Sequence, residues 1–443
     1  MKVSMNLDSV SCSLGSLVKN STINMVAGEE AHLGRISNIA LSFDAFMELG
    51  QRVKYIGVTD DFKEIMEFYH VPENELPAGF EPVLSYTADG VLRVGLKRNI
   101  NFGKNGEKRP TKVLFSADSA DPYEIGAMKN LLANVTTNPA IIYDRFLTNE
   151  KANIGHKFKT REEVLREITK IVGSGVDISC EINNPFAEEN EILDEVAALS
   201  ELVTKYQLVV KVPHLGPITK ANMNTLLDGH FPKRFNDPTS ASAYRSHDLA
   251  IMLHEHGYRV NFTLMAEGYQ TQLALQAKPY FINCFMRNRY HHSEKMEELL
   301  NCYKATQKEE YLSQLRSYLI NNYYLAEADQ EMSLFEVKRM AEKELEYRHW
   351  NNKDGCDGLD QARECLRALG ASYLPDTRLI ICSMDGNQYA LIDRMLLEPE
   401  FKDLSERVII SASPQYLAGF TSSPAVLNYN KSFIKAAAKD GAK

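Results

Sequence analysis

The stretch Leu208-Val209-Val210-Lys211-Val212-Pro213 places one amine inside a run of apolar residues. A run this short, ending at a proline, predicts a buried β-strand. An ammonium in such a strand is costly unless a carboxylate pairs with it or its pKa falls. A lysine with a lowered pKa is a neutral amine near neutral pH and can form a Schiff base with a carbonyl. Snorkelling to water, or a structural ion pair, is the favoured explanation of the stretch when it is taken alone.

Similar apolar runs recur from residue 112 onward, and a helix-like segment follows each of them. The runs cover 112–117, 133–136, 176–182, 208–212, 259–264, 280–285, 378–383 and 407–411. The helix-like segments include 122–132, 188–206, 218–227, 266–277, 387–397 and 424–437. Strands that alternate with helices indicate a parallel sheet, and eight such units predict a closed (β/α)8 TIM barrel. The competing open, doubly wound sheet is disfavoured because no glycine-rich phosphate loop follows the first strand.

Three segments lie outside this alternation. Residues 1–105 predict an α/β extension of unknown role, with strands at 53–58, 82–86 and 91–96, and a linker at 103–110 leads to a barrel domain over 110–443. Residues 228–247 predict a polar loop before a helix over 248–256. Residues 286–357 predict a helical insertion between strands six and seven, whose longest helices cover 309–332 and 333–350. Such an insertion would overhang the carboxyl-terminal face of the barrel.

Composition sets limits on the partners and on the compartment. The chain has 443 residues, a net charge of -9 and seven cysteines. The negative charge disfavours a nucleic-acid surface, and no apolar run is long enough to predict a membrane span. The odd number of cysteines and the lack of an amino-terminal apolar core predict a cytoplasmic protein. His254 and His256 cannot share one helix face, so we predict no metal site.

Polar residues interrupt or end the predicted barrel strands. In a TIM barrel such residues project at the carboxyl-terminal mouth, where enzymes of this fold hold their sites. Each also has a simpler explanation: a helix cap for Asp118 or Ser383, a turn for Asn138, strand propensity for Thr263, or a plain ion pair between Glu181 and Lys211. Their joint placement favours a site composed of Asp118, Asn138, Glu181, Lys211, Asn261, Thr263, Asn283 and Ser383.

Five motifs, in order along the chain, resemble those of the transaldolase family. The resemblance runs from about 112 to 437 with the insertions excluded. The motifs are Asp118-Ser119-Ala120, Val135-Thr136-Thr137-Asn138-Pro139, Ser179-Cys180-Glu181-Ile182, Val210-Lys211-Val212-Pro213 and Asn261-Phe262-Thr263-Leu264.

The resemblance implies a role for each matching residue. Lys211 would form an imine with a ketose donor, and Asp118 would exchange the proton of the C4 hydroxyl. Glu181 and Thr263 would hold a water that moves protons during imine formation. The substrate-binding residues would be Thr137, Asn138, Asn261, Asn283, Phe285, Ser383, Arg287 and Arg289. Neither a metal nor an organic cofactor is implied. The partner would be a small sugar or sugar phosphate, and an oligomer of identical chains is left open.

Two family motifs that hold the sugar phosphate are altered in this chain. Strand six of the family carries Ser-Pro-Phe with a following arginine, but this chain has Asn283-Cys284-Phe285-Met286-Arg287. Strand seven carries Ser-Phe-Arg in the family and Ser383-Met384-Asp385 here. A carboxylate repels a phosphate, although Arg287 or Arg289 could still reach one. Alternatively, Asp385 points to solvent and caps the next helix.

We therefore predict a Schiff-base aldol enzyme with changed phosphate recognition. The alternatives are an imine-dependent lyase or isomerase, and a non-catalytic barrel that serves as a binding scaffold.

Overall fold

The computed structural model describes residues 12–20, 23–229 and 231–440. These residues form two compact units that divide after Thr111, with the segment Val172–Asp177 grouped with the first unit. The division lies one residue beyond the predicted linker. The outermost residues of both predicted domains, 1–11 and 441–443, lie outside the described residues.

Eight parallel strands close into a barrel in which sequence neighbours are also spatial neighbours. This confirms the predicted TIM barrel, and each predicted run overlaps one strand, with differences of one or two residues at the ends. The strands are β1 (Leu114–Asp118), β2 (Leu132–Thr136), β3 (Asp177–Glu181), β4 (Leu208–Pro213), β5 (Arg259–Thr263), β6 (Phe281–Phe285), β7 (Arg378–Cys382) and β8 (Val408–Ala412).

Strand β4 shows why these runs are so apolar. All six of its residues are buried, and Val209, Val210 and Val212 have no exposed surface. Successive side chains in a strand point to opposite faces, so Val209 and Lys211 share one face while Val210 and Val212 share the other. Both faces of a parallel barrel strand are covered, one by the barrel interior and one by helices. The single polar side chain of the strand is therefore buried with its apolar neighbours.

Most of the helices that accompany the barrel strands are shorter than predicted or shifted along the chain, whereas the last one extends three residues beyond its predicted end. They are Pro122–Met128, Arg161–Val172, Glu189–Val203, Met223–Leu227, Ser240–Glu255, Gln270–Gln276, Asp360–Gly370, Gln388–Met395, Pro414–Gly419 and Pro424–Asp440. A π-helical segment, Ile141–Leu147, follows β2. The predicted helix at 218–227 forms only from Met223, because the Asn222 side chain bonds the backbone of Thr219 and Pro217 instead.

The predicted polar loop over 228–247 is wrong from residue 240 onward. A capping box starts the helix at Ser240: the Thr239 hydroxyl accepts from the Ser242 amide at 3.2 Å, and the Ser242 hydroxyl accepts from the Thr239 amide at 3.1 Å. Two amides at the helix start are thereby satisfied locally. The helix predicted over 248–256 is therefore the second half of a longer one.

The insertion between β6 and β7 is helical, as predicted, and has an apolar core of its own. Its helices are α1 (Met286–Thr306), α2 (Glu310–Asn321) and α3 (Leu334–Tyr347). The predicted continuous helix over 309–332 is wrong, because Tyr323 adopts a left-handed backbone with φ of 62° and ends α2. The core includes Met296, Leu299, Leu300, Leu312, Leu315, Leu319, Leu325, Val337, Ala341, Leu345 and Trp350.

The first unit contains the α/β extension predicted from the sequence. Its four-stranded sheet has the order Asn24–Met25, Tyr55–Val58, Val91–Arg98 and Phe80–Tyr86, with only the last pair antiparallel. Cys12–Ser13 pairs with Ala40–Leu41 in a separate ribbon. The helices are Leu14–Asn20, Leu33–Ile36, Phe43–Arg52 and Asp60–Tyr69. Across the described parts of the whole chain, no helix combines the length and apolarity that crossing a bilayer requires.

Candidate active site

Lys211 lies inside the barrel between two oxygen atoms. The strand register places it level with Glu181 on β3 and with Asn261 on β5. Its Nζ is 3.2 Å from Glu181 Oε2 and 3.1 Å from the backbone oxygen of Thr137. The Lys211 side chain is 4% exposed and that of Glu181 is 13% exposed. Thr137, predicted to bind substrate, is fully buried and contributes its carbonyl to the lysine instead.

Asp118 ends β1 and is level with Thr136 on β2. Burial raises the pKa of the Asp118 carboxyl above its usual range. The positive charges of Lys211, Arg145 and Arg287 act against that rise, so all three lie within electrostatic range of the carboxyl. A carboxyl group with a raised pKa can hold and release a proton closer to neutral pH, as general acid–base chemistry requires.

A cavity of about 200 Å³ opens beside Asp118. Its lining residues include Arg145, Asn149, Ser413 and Gln415, together with three acidic residues, Asp118, Asp121 and Glu124. These groups offer both donors and acceptors of hydrogen bonds. The cavity is therefore suited to a ligand that bears hydroxyl groups. Its three acidic residues outnumber its one arginine, so it disfavours a ligand with two negative charges.

A belt of polar side chains crosses the barrel interior. Asn134 Nδ2 donates to Ser116 Oγ at 2.8 Å, and Ser179 Oγ donates to Asn134 Oδ1 at 3.0 Å. Asn261 Nδ2 continues the belt to Ser179 Oγ at 3.3 Å. Asn283 donates to Asn261 Oδ1 and, at 2.6 Å, to the backbone oxygen of Phe262. Asn261 and Asn283, which were predicted to bind substrate, are thus hydrogen-bonded to each other within this belt.

Unusual backbone conformations follow β5 and β7. Leu264, directly after Thr263, has φ of 56°, and Ser383, directly after β7, has φ of 53°. Such angles are uncommon outside glycine, and strained residues of this kind concentrate at functional sites. Thr263 itself is buried, and its backbone oxygen accepts from the amide of His214 at 3.1 Å.

The remaining predicted binding residues are distributed around the mouth. The Asn138 side chain accepts from the Ile141 amide at 2.8 Å and so caps the segment after β2. Phe285 is partly exposed at the end of β6. The Arg287 amide donates to the Ser383 backbone oxygen at 2.6 Å, which links the ends of β6 and β7, while the Arg287 side chain is exposed.

Arg289 differs from the expectation that it reaches a substrate anion. Its side chain is 3% exposed, and its guanidinium pairs with the carboxylates of Glu267 and Asp360. Residues two apart on a helix face different directions, so Arg287 and Arg289 cannot serve one site. The positive charge of Arg289 is committed within the protein.

Asp385 is ionised and half-exposed. Its Oδ1 accepts from the Gly386 amide at 2.7 Å, and its Oδ2 is 3.0 Å from His291 Nε2. These two hydrogen bonds hold the pKa of the Asp385 carboxyl below its usual range. A carboxylate therefore stands where the family resemblance leads one to expect a cation.

The sequence interpretation missed Arg145 and His214. Arg145 lies in the π-helical segment after β2, where neither spacing nor composition marked it. His214 directly follows β4, so its place at a strand end was a usable signal. The interior belt also had a signal, since Ser116 and Ser179 lie two residues before Asp118 and Glu181 and must share their faces. Among the residues that the structure describes, no three histidine, cysteine or acidic side chains group to hold a metal ion.

Comparison with known proteins gives no family assignment. No family model matches the chain, and no curated protein matches it. Among solved structures it is similar to a mandelate oxidase variant with a monooxide FMN adduct, at 9% identity and a TM-score of 0.31, over 68% of this chain and 64% of the other. Mandelate oxidase with 3,3-difluoro-2-hydroxy-3-phenylpropionic acid gives 9% identity and a TM-score of 0.32, over 70% and 66%. The aligned part is less than two thirds of each of those chains.

Proposed function

We propose that the protein is a Schiff-base aldol enzyme of the transaldolase type that acts on a sugar or sugar-like ketose. The observation that carries this proposal is the buried amine of Lys211, held 3.2 Å from the Glu181 carboxylate inside a barrel strand. A neighbouring carboxylate can accept the ammonium proton, and the resulting amine is the nucleophile of imine chemistry.

The reaction follows from the groups around Lys211. Its Nζ adds to the ketose carbonyl carbon, the carbonyl oxygen takes up a proton, and water leaves as the iminium forms. The iminium draws electrons from the C3–C4 bond, and Asp118 takes the C4 hydroxyl proton as that bond breaks. An aldehyde departs and an enamine remains on Lys211. Attack of the enamine on an acceptor aldehyde, with a proton returned by Asp118, gives a new iminium, and its hydrolysis releases the transfer product and the Lys211 amine. Protonation of the enamine at carbon, followed by hydrolysis of the iminium, gives cleavage instead.

The raised pKa of Asp118 supports its assignment as the acid–base group. Burial disfavours the charged carboxylate, while nearby cations limit the rise. A pair of carboxyl groups in different environments is the usual arrangement for separating two proton-transfer roles. Here Glu181 pairs directly with the amine, whereas Asp118 shows no ion pair among the described residues.

The alternatives predict different products from the same residues. An imine-dependent lyase or isomerase keeps the covalent step but transfers no carbon unit to an aldehyde. A binding scaffold would use Lys211 and Glu181 as a structural pair alone. Asp118 favours chemistry over the scaffold, since a partly buried acid with a perturbed pKa in a cleft is typical of active sites.

The test is turnover of a ketose panel with and without an acceptor aldehyde, followed by NMR of the products. We expect transfer or cleavage of at least one ketose by the wild type and none by Lys211→Arg, which keeps the charge but cannot form the imine. Lys220→Arg, an exposed lysine beyond the same strand, should match the wild type. Full activity of Lys211→Arg would refute the proposal.

A further inference from the structure

A second cavity, of about 320 Å³, lies at the ends of β4 and β5 beneath the insertion. His214 lines it after β4 and Ala266 lines it after β5. Asn288 comes from the first turn of α1, and Tyr324 comes from the connection between α2 and α3. Lys211, Asp118 and Glu181 are not part of its wall. The size lies within the range of small-molecule sites.

The charged side chains on this wall neutralise each other. Arg289 pairs with Glu267 and Asp360, and Glu267 also accepts from Arg348 Nη2 at 2.8 Å. An anionic ligand needs an unpaired guanidinium or ammonium, and both terminal nitrogens of Arg289 are already paired with carboxylates, which leaves only its Nε without a hydrogen-bond partner among the described residues. A cationic ligand would compete with two arginines for Glu267. The wall therefore favours a ligand without charge.

The two imidazoles on the wall are neutral at neutral pH. Burial lowers the pKa of His214 to about 4 and that of His292 to about 4. His214 Nδ1 is 3.3 Å from the Thr263 carbonyl, which can only accept, so Nδ1 carries the proton and Nε2 is an acceptor. His292 Nδ1 is 3.0 Å from the Tyr324 hydroxyl, which accepts from Arg348 at 2.7 Å and donates its own proton to the ring. His292 Nε2 is consequently a donor.

The wall carries both aromatic rings and neutral polar groups. Phe235, Tyr269 and Tyr324 supply the rings. The side-chain amide of Asn288 has no hydrogen-bond partner within residues 12–20, 23–229 and 231–440, and it can both donate and accept. Aromatic faces next to neutral donors and acceptors suit a compact ring that bears hydroxyl groups.

We infer that this cavity, hereafter the insertion pocket, binds an uncharged, hydroxyl-rich ring of monosaccharide size. The inference does not depend on imine chemistry, because the pocket lacks Lys211. It gives the insertion a role in ligand binding, since the insertion supplies Asn288, His292 and Tyr324 to the wall.

The experiment uses probes that have no free carbonyl and so cannot form an imine. Methyl α-D-glucopyranoside and myo-inositol are titrated into the full chain by calorimetry, beside D-glucose 1-phosphate and adenosine. We expect at least one neutral polyol to bind with a Kd of about 1–10 mM or tighter, and both other probes to bind more weakly.

Variants locate the binding. Asn288→Trp places a bulky ring in the pocket from an exposed helical position, and it should weaken polyol binding at least about tenfold. Tyr269→Ala removes a half-exposed ring and gives a second test if Asn288→Trp does not fold. Gln314→Trp, exposed on α2, and Lys211→Met should bind like the wild type.

Three outcomes would overturn the inference. They are no polyol binding at about 10 mM, unchanged binding by both pocket variants, and tighter binding of D-glucose 1-phosphate or adenosine than of either polyol. Since Lys211→Met abolishes the proposed reaction but not this binding, failure of either idea leaves the other intact.

Discussion

At the residue scale, the Lys211 amine lies beside two hydrogen-bond acceptors inside the barrel. Only one of them could be predicted from the sequence. Glu181 is a side-chain partner on the adjacent strand, and its place at a strand end predicted it. Thr137 contributes a backbone oxygen 3.1 Å from Nζ. Every residue carries such an oxygen, so only the three-dimensional path of the chain after β2 identifies this one. Arg145 was missed for a related reason, because its proximity to Asp118 depends on the π-helical segment.

Asp118→Asn should slow carbon–carbon bond cleavage by about 10²-fold or more, which is the usual scale for loss of a general acid–base group. Imine formation at Lys211 should persist, because Glu181 and Thr137 are unchanged. The carboxyl has a raised pKa, so the wild-type rate should show an ionisation above the ordinary aspartate range that Asp118→Asn lacks. Single-turnover kinetics across pH measure both effects. A variant with near-normal turnover would reduce Asp118 to a structural residue.

His214→Gln should change how stability depends on pH. The folded pKa of His214 is lowered to about 4, so the folded ring stays neutral while the unfolded ring gains a proton below about pH 6.5. The neutral ring therefore contributes stability that is present above pH 6.5 and is lost as the pH falls toward 4. When the pH falls from about 7 to about 5, the free energy of unfolding of the wild type should decrease by about 1–2 kcal/mol more than that of His214→Gln.

Urea denaturation at both pH values measures this difference. The matched control is His254→Gln, an exposed histidine on the helix Ser240–Glu255, which should show the same pH dependence as the wild type. Equal losses in His214→Gln and the wild type would mean that the imidazole titrates as an ordinary exposed group.

At the scale of elements, hydrophobic periodicity located all eight barrel strands and the helical insertion, because both faces of each strand and one face of each helix are buried. It failed where side chains bond the nearby backbone, as in the capping box that starts a helix at Ser240. It also could not reveal how the insertion is anchored. Arg348 contacts Glu267 at 2.8 Å across 81 positions of sequence, and no local pattern encodes such a pair.

Arg348→Met should destabilise the insertion strongly. The Arg348 side chain is 1% exposed and donates to Glu267, Tyr324 and Ser293. Removal of one partner from a buried ion pair typically costs about 3–5 kcal/mol, because the remaining charge stays buried. Arg339→Met on α3 is the control, since that side chain is exposed and should change stability by less than about 0.5 kcal/mol. Similar urea midpoints for the two variants would contradict the anchoring role.

At the scale of the whole molecule, the eight strand-end positions predicted as one site do lie around one barrel, but they do not play equal parts. Lys211, Glu181 and Asp118 form a charged group, whereas Asn261 and Asn283 belong to the interior belt. Arg289, a further predicted binding residue, belongs to an ion network that links the insertion to Glu267 and Asp360. Sequence order identified the barrel and its mouth. Sequence order could not show which inward-pointing side chains form hydrogen bonds with one another, because those pairs depend on the register between strands.

The preference between phosphorylated and unphosphorylated substrates is a property of the whole molecule, because it depends on charged residues that follow several different strands. Asp385 is ionised at the mouth, three acidic residues line the cavity with Arg145, and Arg289 is already paired. We expect kcat/KM for unphosphorylated ketoses to exceed that for fructose 6-phosphate or sedoheptulose 7-phosphate. Asp385→Asn should reduce the difference in kcat/KM between the unphosphorylated and the phosphorylated ketoses. Turnover of both phosphates at rates ordinary for enzymes, about 1–10³ per second, would contradict this expectation.

The central claim is a covalent bond to Lys211, and borohydride reduction followed by peptide mass mapping tests it most directly. The protein is incubated with a ketose that it turns over, reduced, digested and sequenced by mass spectrometry. We predict one ketose-derived mass increment, on the peptide that contains Lys211, and none on folded Lys211→Met. An increment on another lysine, an equal increment on Lys211→Met, or turnover without any trapped adduct would contradict the account.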